Sequence, residues 1–209
     1  MKIDVQNNIP GVRVNVNQNA DGSFTIMLAK EIAGSKTLGS VKPGDTVTIG
    51  EREYIVLSHE NGITSIVAKK PTKFMAFGKN GNYAKSDVSA YCNGEFYEEL
   101  CKAVGEYNVL PHTVNLVSDD GSNKGASVTD FVSIPTCDLY RRYRELFPAI
   151  GSPCWTATMV TTLDKNYASD VCFVSSRGIL SSSDCSLFFG VCPFCYLNSS
   201  VLVSLNKDR

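Results

Sequence analysis

The sequence carries almost no net charge: 20 Lys and Arg stand against 21 Asp and Glu, a balance of -1 with neutral His. That balance excludes the basic footprint expected of a protein that binds DNA or an anionic membrane surface. Long hydrophobic runs are missing as well, and no stretch approaches the length of a bilayer-spanning helix. The residues after Met1 contain no apolar leader core, so the expected compartment is the cytoplasm of the producing cell. Histidine is scarce: His59 and His112 lie far apart, and nothing beside either selects a Cys–His or Ser–His nucleophilic pair. Gly78 and Gly81 are followed by neither Lys-Ser/Thr nor a helix, which reads as a plain loop rather than a phosphate cradle. The acids of 118–125 lack the spacing and terminal Glu of a calcium loop. On these grounds no catalytic residue, cofactor or metal ligand is assigned, and the expectation is a non-enzyme.

Cysteine, by contrast, is plentiful, with eight in 209 residues. A chain of this length, 43% apolar, buries a core without covalent staples, so reduced thiols are expected. Cys192-Pro-Phe-Cys195 has the spacing of half a zinc site or of a redox pair, with Cys172 and Cys185 the near candidates for a second half. On a strand, however, Cys192 and Cys195 would face opposite sides of the sheet, which argues against shared ligation. A thiol or metal protein using these four cysteines stands as the alternative, and buried thiols as the plainer reading.

The chain opens with a predicted hairpin. Val12, Val14 and Val16 alternate with Arg13, Asn15 and Asn17, the Asn19-Ala-Asp-Gly22 run turns, and 24–28 return. An isolated hairpin is marginally stable, so this arm (residues 1–37) is read either as an extra sheet edge or as an assembly element joining copies of the chain. Strands at 46–49, 53–57 and 64–68 form a meander joined at Gly50 and Asn61-Gly62. Ser86 caps a helix to about 104 with Val88, Tyr91, Phe96, Leu100 and Val104 inward, and Asn93-Gly94 predicts a kink. Thr136 caps a second helix over 138–147, stopped by Pro148, with Leu139, Tyr143 and Leu146 inward. Strands follow at 155–158, 170–175, 178–180, 190–197 and 201–205. Strands, then helices, then strands again make an α+β chain with an antiparallel sheet.

The C-terminal quarter is the most informative. Trp155 sits in an apolar strand and reads as core. Phe188 and Phe189 follow a polar run: on a strand at least one should point outward, while the alternative has both packed under the loop. Outward aromatics among small polar residues suit a protein-binding surface. The proposed face combines Asp164, Asn166, Tyr167, Asp170, Ser181, Ser182, Ser183, Asp184, Ser186 and Phe188.

Several motifs together carry a resemblance: Lys42-Pro-Gly-Asp-Thr46, Ser86-Asp-Val, Tyr91-Cys-Asn-Gly-Glu-Phe96, Leu139-Tyr-Arg-Arg-Tyr143, Cys154-Trp-Thr-Ala-Thr158, Val174-Ser-Ser-Arg-Gly178 and Gly190-Val-Cys-Pro-Phe-Cys195. Over roughly 38–205 the chain resembles a family of uncharacterised C-type-lectin-like domains common in gut bacteria and their phages and prophages. The resemblance implies a C-type-lectin-like domain over 38–209 after the hairpin, a scaffold of Trp155, Gly190, Val191 and Pro193, and binding of a protein or cell-surface ligand. Similar domains serve as variable proteins of diversity-generating retroelements, which makes residues 159–189 the comparable variable surface; a phage product would travel with the virion. Two positions depart from the family pattern: Cys154 stands where a second Trp is usual, and Cys192 where an Arg is usual. Trp155 is followed by Thr-Ala, so calcium-dependent sugar binding is not implied.

Overall fold

The computed structural model describes residues 12–18, 22–30, 35–147 and 151–205. The chain divides into two compact units, Met1–Ser35 and Lys36–Arg209. The first contains β1 (Val12–Gln18) and β2 (Phe24–Lys30), an antiparallel pair in register from Val12↔Lys30 to Gln18↔Phe24. The predicted turn at 19–21 lies outside the described residues; Gly22, at its end, has φ +82°.

The boundary falls within β3 (Ser35–Thr37), and the second unit continues with β4 (Thr46–Ile49), β5 (Arg52–Glu60), β6 (Ile63–Ala68) and β7 (Lys73–Ala76). A helical stretch follows: α1 (Asp87–Tyr91), a π turn (Cys92–Phe96) and α2 (Tyr97–Val104). Next come β8 (Val109–Leu110), β9 (His112–Asn115), β10 (Ser127–Asp130), β11 (Val132–Ser133) and the short helix α3 (Cys137–Arg142). The chain closes with β12 (Cys154–Met159), β13 (Asp170–Val174), β14 (Leu180–Asp184), β15 (Phe188–Val191), β16 (Phe194–Asn198) and β17 (Leu202–Leu205). The architecture is α+β, with mostly antiparallel sheets and one main helix. An eight-stranded sheet runs β11-β16-β6-β5-β4-β17-β3 with β8 also on β16, and a five-stranded sheet runs β14-β13-β12-β15-β7. β9 and β10 form a separate pair, and β12–β15 is a parallel contact at Cys154↔Gly190.

The meander forms as its alternation predicts, and its tight turn has a local cause. Asn61 and Gly62 both take positive φ, the conformation a two-residue hairpin turn requires. Residues 54–57 are buried without interruption because both faces of the eight-stranded sheet are covered. Tyr54, Val56, Ile66, Cys195 and Leu197 face the main core, whereas Ile55, Leu57, Val67 and Phe194 face a second cluster under α3. Strand alternation sorts neighbouring residues between the two cores.

Ser86 Oγ accepts from the Ser89 amide, the expected cap. The predicted kink is the π turn. Asn93 Nδ2 donates to the Ser89 carbonyl, while its Oδ1 accepts from the Phe131 and Val132 amides, so the side chain pins the widened turn to β11. Gly105, at φ +85°, ends the helix.

Three expectations need correction. The second helix is capped by Thr136, but it ends at Arg142 and not at 147. Tyr143 leaves helical geometry, its hydroxyl donating to Ser58 Oγ at 3.1 Å, and Phe147 folds back onto the Tyr140 ring. Its buried side is therefore Cys137, Tyr140 and Phe147, with Leu139, Tyr143 and Leu146 half-buried. The strand predicted at 178–180 lies at Leu180–Asp184, after a turn in which Gly178 has φ +76°. The single strand predicted over 190–197 is two, because Pro193 has no N–H to continue a ladder. At Cys192-Pro193 the chain crosses from the five-stranded sheet to the eight-stranded one.

Candidate functional site

The scaffold around the C-terminal surface is tightly determined. Trp155 is 1% exposed; its Nε1–H donates to the Met75 carbonyl, and its ring packs on Phe77, Phe173 and Phe189. Gly190 donates its amide to the Pro153 carbonyl. A Cβ at Gly190 would lie 2.8 Å from Pro71 and 2.9 Å from Cys154 Sγ, so only glycine lets β15 approach so closely. The Val191 carbonyl accepts from Thr72, and the Pro193 carbonyl from Ala68.

On this scaffold the proposed face divides. Asp164, Asn166 and Tyr167 lie in the exposed 3-10 segment between β12 and β13. Asp164 accepts from the Asn166 amide, so its carboxylate closes a local turn. Asp184 accepts from the Ser186 amide and hydroxyl, closing the turn into β15. The Ser186 hydroxyl holds the exposed Asp184 carboxyl below its usual pKa. The 181–184 run, grouped as one surface from sequence, is a β-strand whose side chains alternate. Ser182 and Asp184 share a face with Cys172 and Asp170, and Ser181 and Ser183 share the other with Phe173 and Val171. Serine has little strand preference of its own, and pairing to β13 overrides it.

The two phenylalanines separate as β alternation requires. Phe189 stacks on Trp155 and Phe173 at centroid distances of 4.5 and 4.6 Å, while Phe188 is 72% exposed. Sequence reading missed other exposed apolar side chains, one of them beside Phe188. Phe74 on β7 is 56% exposed and lies diagonal to Phe188, since Phe188 pairs with Ala76 and Gly190 with Phe74. Leu163, Ile179 and Leu187 are exposed as well. Leu163 and Leu187 were legible as apolar residues inside polar turns; Phe74 was not, because its neighbour comes from the far end of the chain.

The cysteines do not gather as the alternative required. Cys195 and Cys185 lie in the main core, and Cys192 in the second cluster. Cys192 meets Cys154 instead, its thiol donating to Cys154 Sγ at 3.3 Å. Cys172 meets Cys137 and Asp119, all three donor atoms lying within 4.8 Å of one another. The Cys172 thiol lowers the Cys137 pKa, helped by the Thr156 and Thr158 hydroxyls, while Cys172 itself moves up.

Both histidines are held by hydroxyls. His59 Nε2 donates to the Val41 carbonyl at 2.6 Å, and its Nδ1 meets Thr64 Oγ1. His112 Nε2 lies 2.9 Å from Ser133 Oγ, between the edges and faces of Phe194 and Tyr196. Burial pushes the His112 pKa down to about 4, with the Leu110 backbone offsetting a little of that effect. This Ser–His contact was not legible in sequence. Ser133 is buried at 2% exposure, and His112 Nδ1 has no well-formed hydrogen bond to orient it, which is not the arrangement of an activated nucleophile.

Comparison with family models, with curated proteins and with solved structures gives no match. No described helix is long and apolar enough to cross a membrane.

Proposed function

We propose that the chain is a non-enzymatic ligand-binding module of C-type-lectin-like type that recognises a protein or other cell-surface molecule. One observation carries this reading. Phe188 and Phe74 stand exposed on adjacent strands of a sheet that Trp155, Phe173 and Phe189 make rigid from beneath. Aromatics on a stiff support lose little conformational entropy on binding, which makes them good anchors. The Asp184–Ser186 turn leads directly into β15 and Phe188, and the exposed Asp164–Tyr167 turn adds further adaptable hydrogen-bonding groups to the module's surface. The Cys154–Cys192 contact adds support, because the two departures from the resembled family's pattern fall on each other as one paired replacement. A phage or prophage product, diversified by a retroelement over residues 159–189, remains part of this proposal. A near-copy of the 3′ coding sequence with adenine-directed differences, beside a reverse transcriptase gene, would support that part.

The binding test is interferometry against a panel of purified bacterial surface proteins and polysaccharides. Tyr167→Ala with Phe188→Ala should weaken any binder at least about tenfold, as loss of central aromatic anchors does. Unchanged affinity in the double variant overturns the surface assignment.

The assembly reading of the hairpin has its own observation. Val16 and Ile26 are cross-strand partners, and both are exposed. Removal of residues 1–34, which keeps β3, should convert an oligomer to a monomer by light scattering; an unchanged mass removes the reading.

A further inference from the structure

We propose that Asp119, Cys137 and Cys172 form a zinc-binding site with one open coordination position. It is independent of the recognition surface, so either can fail without the other. Three remote segments build it. Thr136 caps α3 and so places Cys137 in the helix's first turn. Cys172 lies in β13, where its carbonyl accepts from Thr156 Oγ1 on β12. Asp119 is held at the mouth by its amide, which donates to the Met159 carbonyl, and by Arg141 Nη2, 2.8 Å from Oδ1.

The donor set suits a borderline-soft divalent ion: two sulfurs and one carboxylate oxygen, within 4.8 Å of one another. Both cysteines are buried and Asp119 is exposed, so the site is closed within and open at one side. A cavity of about 220 Å³ adjoins it, lined by Ser118, Asp119, Cys137, Asp138, Arg141 and Thr158 among others. A second, independent observation points to a ligand there. Ser118 is 4% exposed, and its Oγ has no hydrogen-bond partner. A buried hydroxyl without a partner is costly, and a water completing a zinc shell would satisfy it.

Charge and protons balance. Zn²⁺ displaces one proton from each thiol into the buffer, and two thiolates, one carboxylate, the ion and the Arg141 guanidinium then sum to zero.

The test loads the full-length reduced protein with ZnCl₂, dialyses it, and counts metal by atomic emission; Co²⁺ substitution then reports thiolate ligation by its charge-transfer absorption. One equivalent per chain is expected, with the thiolate-to-cobalt band. Cys137→Ser/Cys172→Ser should remove both signals, whereas Cys192→Ser should leave them. Asp119→Asn, at an exposed position that does not threaten folding, should weaken zinc about 10–100-fold. The proposal is overturned by absence of stoichiometric zinc. It is equally overturned if the double serine variant, folded by circular dichroism, retains zinc, or if Asp119→Asn binds with unchanged affinity.

Discussion

Cys192 and Cys154 hold their sulfurs 3.3 Å apart, both buried, where the chain leaves the five-stranded sheet for the eight-stranded one. Cys192 donates to Cys154, and Cys154 donates to the Ser152 carbonyl, so the two thiols form a short chain ending on backbone. The hydrogen bond to Cys154, together with burial, raises the Cys192 pKa and keeps it a neutral thiol. Cys154→Ala and Cys192→Ala should each cost about 1–2 kcal/mol in urea unfolding. The double variant should miss additivity by at least about 0.5 kcal/mol; additive losses would show that the thiols do not interact.

Gly190→Ala tests the same crossing from the other side. Its methyl would press on Pro71 and on Cys154 Sγ, which costs about 1–3 kcal/mol by overpacking. Cys154→Ala in the same chain should recover part of the loss, since one of the two obstacles is gone. No recovery would place the whole clash at Pro71.

Phe188 and Phe189 are neighbours with opposite fates. Phe189→Ala should lower stability by about 2–3 kcal/mol, because it removes the ring stacked on Trp155 and Phe173. Phe188→Ala should stay within about 0.5 kcal/mol of the parent. Thermal unfolding followed by fluorescence of the buried, single Trp155 compares them directly. A Phe188 variant as unstable as the Phe189 variant would mean that Phe188 packs rather than projects.

His112 makes stability depend on pH. Its folded pKa lies near 4, below the ordinary value of 6.5, so the unfolded chain binds more protons between them. The contribution is fully present above about pH 6.5, and it falls away as pH drops toward 4. By linkage it is roughly 3 kcal/mol in total. Urea midpoints at pH 7 and pH 4.5 should differ less in His112→Gln than in the parent. An equal difference in both proteins would assign the acid sensitivity to other groups.

Local signals in the sequence were enough for the elements whose causes are local. The Val12–Val16 alternation, the Asn61-Gly62 turn and the Ser86 and Thr136 caps depend on residues within a few positions of one another; the Asn93-Gly94 kink was legible in place, but not its pin on Phe131 and Val132. The burial of Trp155 in its apolar strand, and the separation of Phe188 from Phe189 onto opposite faces, follow from local pattern and strand alternation. The Ser181–Asp184 strand was not legible, because serine and aspartate declare turns and only pairing with β13 makes them a strand. Nor was the break at Cys192-Pro193 read as a passage between sheets, since a Pro in a short apolar run does not say which sheets lie on either side. Contacts between distant segments were beyond reach altogether: Cys154 with Cys192, Phe74 beside Phe188, Ser133 on His112, and Asp119 with Cys137 and Cys172. Period and capping are properties of neighbours along the chain, and the sequence by itself determined those. Which thiol meets which, and which aromatic stays uncovered, depends on how two sheets close over two cores, and only the tertiary structure decided it.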